Sequence, residues 1–228
     1  MIGSMMKKEK IKRIETYLDQ LYPNPRCELN YNSDYELLIA IVLSAQTTDK
    51  RVNIVTKVLF DKYTLDGIAN ANIEEIEGIL RPLGSFRKKA SYIKEIANIL
   101  HNNYQDKVPV DREILETFPG VGRKTANVFL SEYLQIPAIA VDTHVNRVSK
   151  RLGFAKESDS VLIVEKKLEN SFAKENWAKR HLQLVLFGRY KCKAKKPECQ
   201  DCKLYDICKE KRKAFKRLFL CYYCNSSR

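Results

Sequence analysis

Apolar positions recur with a helical period along almost the whole chain. Ile11, Ile14, Leu18 and Leu21 share one face, and Pro23 and Pro25 end that first helix. After a linker over residues 24–32, Ser33-Asp34-Tyr35-Glu36 has the form of a capping box. It opens a helix whose run from Leu37 to Leu43 is apolar on every side, which predicts a place in the middle of a helical domain. Small polar residues from Ser44 to Asp49 break that helix. Val52, Val55 and Leu59 are in phase for the next one, and Asn72 can cap a short segment ending at Leu80. Pro82-Leu83-Gly84 turns into a helix carrying Ala90, Ile93, Ala97 and Leu100, and Asp111 caps the helix that leads towards Phe118. Three more helices are predicted over about residues 143–152, 160–170 and 174–187, with Gly188 placed to end the last. No strand pattern of any length and no repeat occurs, so the predicted fold class is all-α, arranged as two helical lobes.

The strongest interruption of the helical pattern is Phe118-Pro119-Gly120-Val121-Gly122-Arg123-Lys124-Thr125-Ala126. Its two glycines permit positive φ and remove side chains that would block approach to the backbone. A helix starts there, and its unpaired N–H groups and positive dipole end make a site for an anion such as phosphate. At about 100° per residue, Ala126, Phe129, Leu130, Tyr133 and Leu134 gather on one side, while Asn127 and Ser131 share the face of Lys124. Lys124 is therefore expected to point away from the core. Downstream, Val141-Asp142-Thr143-His144 places Asp142 as a good N-cap. Both residues have ordinary readings, a solvated lysine in a first helical turn and a plain capping aspartate.

Composition narrows the partners. At 228 residues with 44% hydrophobic content the chain can bury the core of one or two compact domains. Its 41 Lys and Arg against 28 Asp and Glu give a formal charge of +13, which favours a polyanionic partner. The opening residues do not resemble a signal peptide, and the longest apolar run, Leu37 to Leu43, is far short of a membrane span. A reducing cytoplasm, at the nucleoid if the source is a bacterium, is the expected compartment. There, seven cysteines are metal ligands or free thiols rather than disulfides. Cys192, Cys199, Cys202 and Cys208 stand with gaps of six, two and five residues. Four thiolates so grouped suggest a closed metal site, and the spacing leaves zinc and iron–sulfur both open. Lys193, Lys195 and Lys196 lie between the first two and make a basic loop able to touch phosphates.

The hairpin, the lysine and the downstream aspartate together resemble the helix-hairpin-helix DNA glycosylases of the endonuclease III family. Phe187-Gly188-Arg189-Tyr190 followed by the four cysteines resembles that family's 4Fe–4S site, and the likeness runs over about residues 33–209. It implies a central domain over residues 26–136 that ends in the hairpin. Residues 6–25 with 137–209 would form a second lobe holding the cluster, and 210–228 a basic tail outside the likeness. The active site would lie between the lobes. By the same resemblance Lys124 is the nucleophile, Asp142 its carboxylate partner, and Cys192, Cys199, Cys202 and Cys208 hold a structural 4Fe–4S cluster. Gln46 matches the glutamine inserted into the gap left by an extruded base. Gly120, Gly122 and Arg123 belong to the DNA-contacting hairpin. The chain departs from the family at Gly84-Ser85-Phe86-Arg87, where a leucine wedge is usual. Either Phe86 supplies the apolar wedge or the opposing strand is left unfilled. Arg87, Lys88 and Lys89 fit backbone contacts, although a charged run is ordinarily a solvated helix face.

The implied activity is removal of oxidised pyrimidines from double-stranded DNA, with strand cleavage at abasic sites by β-elimination through a lysine Schiff base. The implied partner is DNA with damaged bases or abasic sites, met by a monomer with no membrane involved. A monofunctional mismatch glycosylase would lack the lysine at position 124. A non-enzymatic redox-sensing DNA-binding protein would not need Lys124 and Asp142 together. In the tail, Lys211, Arg212, Lys213, Lys216 and Arg217 precede Cys221 and Cys224, which form only half a metal site and are read as part of a basic extension.

Overall fold

The structure, a computed structural model, describes residues 2–210, with side chains from Lys8 onward. The expectations for Cys221, Cys224 and the basic residues before them lie outside the described residues. Every regular element among the described residues is helical. The chain divides into two compact units, Arg26–Ala140 on the one hand and the segments up to Pro25 and from Val141 on the other.

The unit Arg26–Ala140 is built around α2 (Asp34–Leu43), after α1 (Ile2–Leu21) of the other unit. All seven residues of the apolar run Leu37 to Leu43 are buried. The Ser33 hydroxyl accepts from the Glu36 N–H, while the Glu36 carboxylate reaches back one residue further than in a standard capping box and accepts from the Asn32 N–H at 2.7 Å. α3 (Asp49–Lys62) buries Val52, Val55 and Leu59, and α5 (Ile73–Leu80) is capped by Asn72. Between them lies α4 (Leu65–Asn70), too short to show a period, with the Thr64 hydroxyl accepting from the Gly67 N–H. α6 (Phe86–Tyr104) buries Ala90, Ile93, Ala97 and Leu100 completely. Asp111 caps α7 (Arg112–Glu116), its carboxylate accepting from the N–H groups of Glu113 and Ile114 at 2.7 and 3.1 Å.

α8 (Arg123–Tyr133) packs on both α2 and α7. As a result only the first turn of its expected polar stripe is open. Lys124 is exposed, but Asn127 and Ser131 are buried and Tyr133, expected inside, is 41% exposed.

In the other unit, α1 buries Ile14 and Leu18, and α9 (Thr143–Leu152), α10 (Val161–Glu169) and α11 (Trp177–Leu186) follow. The buried side chains of Arg180 and Gln183 on α11 converge on Asp19 of α1 at 2.8 and 3.0 Å. Gly188 does not end α11. The helix runs on as a π-helical turn, Phe187–Lys191, and Gly188 has no positive φ. Its role is steric: a Cβ there would lie 2.8 Å from the Cβ of His144 and 3.2 Å from Val148 Cγ2, so a glycine lets this turn lie against α9.

Candidate functional site

The hairpin closes with the Val121 N–H donating to the Phe118 carbonyl at 3.0 Å. Gly120 has φ +75°, and a Cβ on it would fall 2.5 Å from Cδ2 of Tyr92, so the α6 tyrosine fills the space that a side chain would need. Both facts require glycine here. Gly122 differs from expectation, since its φ is −101° and a Cβ would meet nothing within 4 Å. What its missing side chain leaves is an open surface at the N-cap of α8, whose first-turn N–H groups meet no capping side chain. Arg123 is half-buried beside them and Lys124 is exposed at the same dipole-positive end.

The loop residues expected to meet DNA occupy two turns of the same unit. Gln46, between α2 and α3, is exposed with φ 57°. Ser85, not Phe86, stands at the outward tip before α6, exposed and with φ 56°. Phe86 is half-buried and packs against the core under the Arg87 guanidinium, 5.2 Å from the ring centre. Arg87 is exposed and lies 3.7 Å from Glu77. Lys89, read from the sequence as part of a charged face, is instead 6% exposed and donates into the Gln46 turn.

In the other unit, Asp142 caps α9, with its carboxylate accepting from the Val145 N–H at 2.7 Å. The same helix carries two residues that periodicity did not single out. The Arg147 guanidinium donates to the carbonyls of Gly188 at 2.7 Å and Cys192 at 3.3 Å. That of Arg151 donates to the carbonyls of Cys192, Lys193 and Ala194 and to Cys192 Sγ at 3.3 Å. It is also ion-paired with Glu210. The only sequence trace is an i, i+4 arginine pair downstream of Asp142, which reads equally well as a surface stripe.

Cys192, Cys199, Cys202 and Cys208 line one recess, walled by Leu152, Phe187, Pro197 and Tyr205. Burial pushes the thiols of Cys192, Cys199 and Cys202 up, and for Cys192 the Arg151 hydrogen bond opposes that shift. Among the described residues no three His, Cys, Asp or Glu side chains are close enough to hold a single metal ion. In the loop, Lys193, Lys195 and Lys196 are exposed, but Lys193 is paired with Glu198 at 2.7 Å.

Residues 39–174 match the family described as HhH-GPD superfamily base excision DNA repair protein. The chain is similar to endonuclease III of Bacillus subtilis (strain 168), with 45% identity over 211 residues that cover 91% of this chain and 96% of that one. It is also similar to a solved non-covalent endonuclease III–DNA complex, at a TM-score of 0.88 and 47% identity over 92% of this chain and 98% of that one. A trapped endonuclease III–DNA covalent intermediate gives a TM-score of 0.84 and 47% identity over 91% and 98%.

Proposed function

We propose, from the premise that this chain belongs to the endonuclease III family within the HhH-GPD superfamily of base excision DNA repair proteins, that it is a bifunctional DNA glycosylase and abasic-site lyase. The observation that carries this reading is Lys124, an exposed amine in the first turn of a helix opened by a bare glycine hairpin. It stands in a chain 47% identical to one trapped covalently on DNA. A base is out of reach inside a duplex, so the nucleotide must first be extruded, with Gln46 entering the gap. The Lys124 amine attacks C1′ as the bond from C1′ to the base breaks, and the departing base takes up a proton. Opening of the sugar leaves an imine between Nζ and C1′. Loss of a proton from C2′ then expels the 3′ phosphate and cuts the strand. Only an amine can form that imine, which is why the position requires lysine. Asp142 supplies the carboxylate that stabilises positive charge on the sugar. The amides after Gly120 and Gly122 and the basic residues hold the phosphates, which sets register without reading sequence.

The four cysteines fit a 4Fe–4S cluster. They share one recess, and a guanidinium donates to the sulfur of Cys192. Such a cluster supplies iron–thiolate bonds that fasten residues 192–208, and with every ligand position filled by protein its part is structural. Among the described residues no helix is long and apolar enough to cross a membrane; the proposed place of action is the cytoplasm, on the DNA there, as a monomer.

The substrate class is oxidised pyrimidine, together with abasic sites. Duplexes each carrying one lesion test it: thymine glycol or 5-hydroxycytosine should be released with strand scission. Release of purine lesions alone, or base release without scission, would overturn the assignment.

A further inference from the structure

Five non-glycine residues of the unit Arg26–Ala140 adopt left-handed backbone: Gln105, Asp106 and Gln135, and, in the two turns expected to meet DNA, Gln46 at φ 57° and Ser85 at φ 56°. Both are exposed. A residue with a Cβ adopts this region at a cost, and keeps it only where the surroundings hold it there. Ser85 does not cap α6 with its side chain. The residue that both turns share is Lys89, one turn into α6. Its backbone N–H donates to the Ser85 carbonyl at 3.1 Å. Its side chain crosses to the other turn, where Nζ donates to the Ala45 carbonyl at 2.8 Å and to Thr47 Oγ1 at 3.0 Å, the neighbours of Gln46 on either side. At 6% exposure it is among the most buried charged groups of the described residues, and its ammonium donates to a carbonyl and a hydroxyl and not to a carboxylate. Burying an ammonium against two neutral oxygens is costly relative to an apolar side chain of the same length. What that arrangement does is fix where Gln46 points relative to Ser85.

We propose that Lys89 is a positioning residue that locks the Gln46 turn to the start of α6, so that Gln46 and Ser85 act on DNA as one two-pronged element. The inference rests on the proposed function, in which Gln46 enters the gap left by the extruded nucleotide. The lock matters only while paired strands have to be parted. It predicts that Ser85 addresses the strand opposite the lesion with a hydroxyl, while Phe86 stays in its core contact.

The experiment compares wild type with Lys89→Met and Thr47→Val. One duplex carries thymine glycol opposite a normal base beside a 2-aminopurine reporter of unstacking. A second substrate is a single strand carrying a preformed abasic site, which needs no strand parting. With Lys89→Met, the unstacking signal and base removal from the duplex should fall about tenfold, the scale of a lost charge-assisted hydrogen bond. Borohydride trapping on the single strand should stay within twofold of wild type. Thr47→Val removes one acceptor and should give a smaller loss of the same kind, and it serves alone if Lys89→Met does not fold. Adding it to Lys89→Met should cost little more, because the bond it removes is already gone. Equal losses on both substrates, or no loss on the duplex, would overturn the lock. Failure of wild type to be trapped on the single strand would instead overturn the proposed function, independently of Lys89.

Discussion

The hairpin around Gly120 and the loop around Cys192 are both irregular backbone, yet they dispose of their polar groups in opposite ways. At the loop, one guanidinium, that of Arg151, takes the carbonyls of residues 192, 193 and 194, and Arg147 takes Gly188 and Cys192 again. The Lys209 N–H closes back onto the Arg151 carbonyl at 2.7 Å. At the hairpin, Gly122 offers no side chain to the first turn of α8, and nothing lies within 4 Å of where its Cβ would be. The loop's carbonyls are therefore taken up by guanidinium groups of its own unit, while the helix start at the hairpin has no capping side chain at Gly122. What the loop fastens is α9, the helix that Asp142 caps. Structural and reactive roles can thus be told apart by where the backbone bonds go.

Asp142→Asn sharpens the contrast most. Asparagine is a good N-cap, so folding should survive, while base removal should slow by at least ~10²-fold, the scale of a lost electrostatic or acid–base group. Single-turnover kinetics beside a thermal melt would check both. Arg151→Met should loosen the loop without touching a ligand, and iron loss to a chelator, followed by visible absorbance, should be about 10–100-fold easier. Unchanged iron retention would leave the arginine as packing only.

The two hairpin glycines separate next. Gly120→Ala meets positive φ and the Tyr92 ring together, a cost of about 2–4 kcal/mol that a denaturant melt would show. Gly122→Ala should cost less than about 1 kcal/mol and yet weaken binding to DNA, because its methyl group stands where a phosphate approaches the amides. The smallest effect belongs to the basic loop. Replacing Lys193, Lys195 and Lys196 by Ala should lower the slope of log affinity against log salt by about two, at ~0.9 per phosphate contact, since Lys193 is already paired with Glu198.

Much of this was legible in the sequence where the signal is local. The all-apolar run of α2, the phased face of α6 and the caps at Asn72, Asp111 and Asp142 are short-range chemistry, and the helices follow them. α4 escaped because six residues carry no readable period. Gly188 reads as a helix stop, but its cause is a contact with His144, more than forty positions away, which no window along the chain contains. Arg87, Lys88 and Lys89 look alike in sequence. Only packing separates Arg87, whose side chain is 79% exposed, from Lys89 at 6%. Arg151 is hidden in the same way, as a helix-surface residue whose partners lie beyond position 190.

The central claim is that the Lys124 amine is the nucleophile, and reduction of the imine tests it most directly. Wild-type protein mixed with DNA containing an abasic site and borohydride should become covalently joined to that DNA, because the reagent turns the C=N bond into a stable amine. Lys124→Ala leaves the hairpin amides and the basic surface in place, so it should bind the same DNA and yet lose both the cross-link and strand cleavage. Cross-linking of Lys124→Ala as efficient as wild type would place the nucleophile elsewhere and contradict the account.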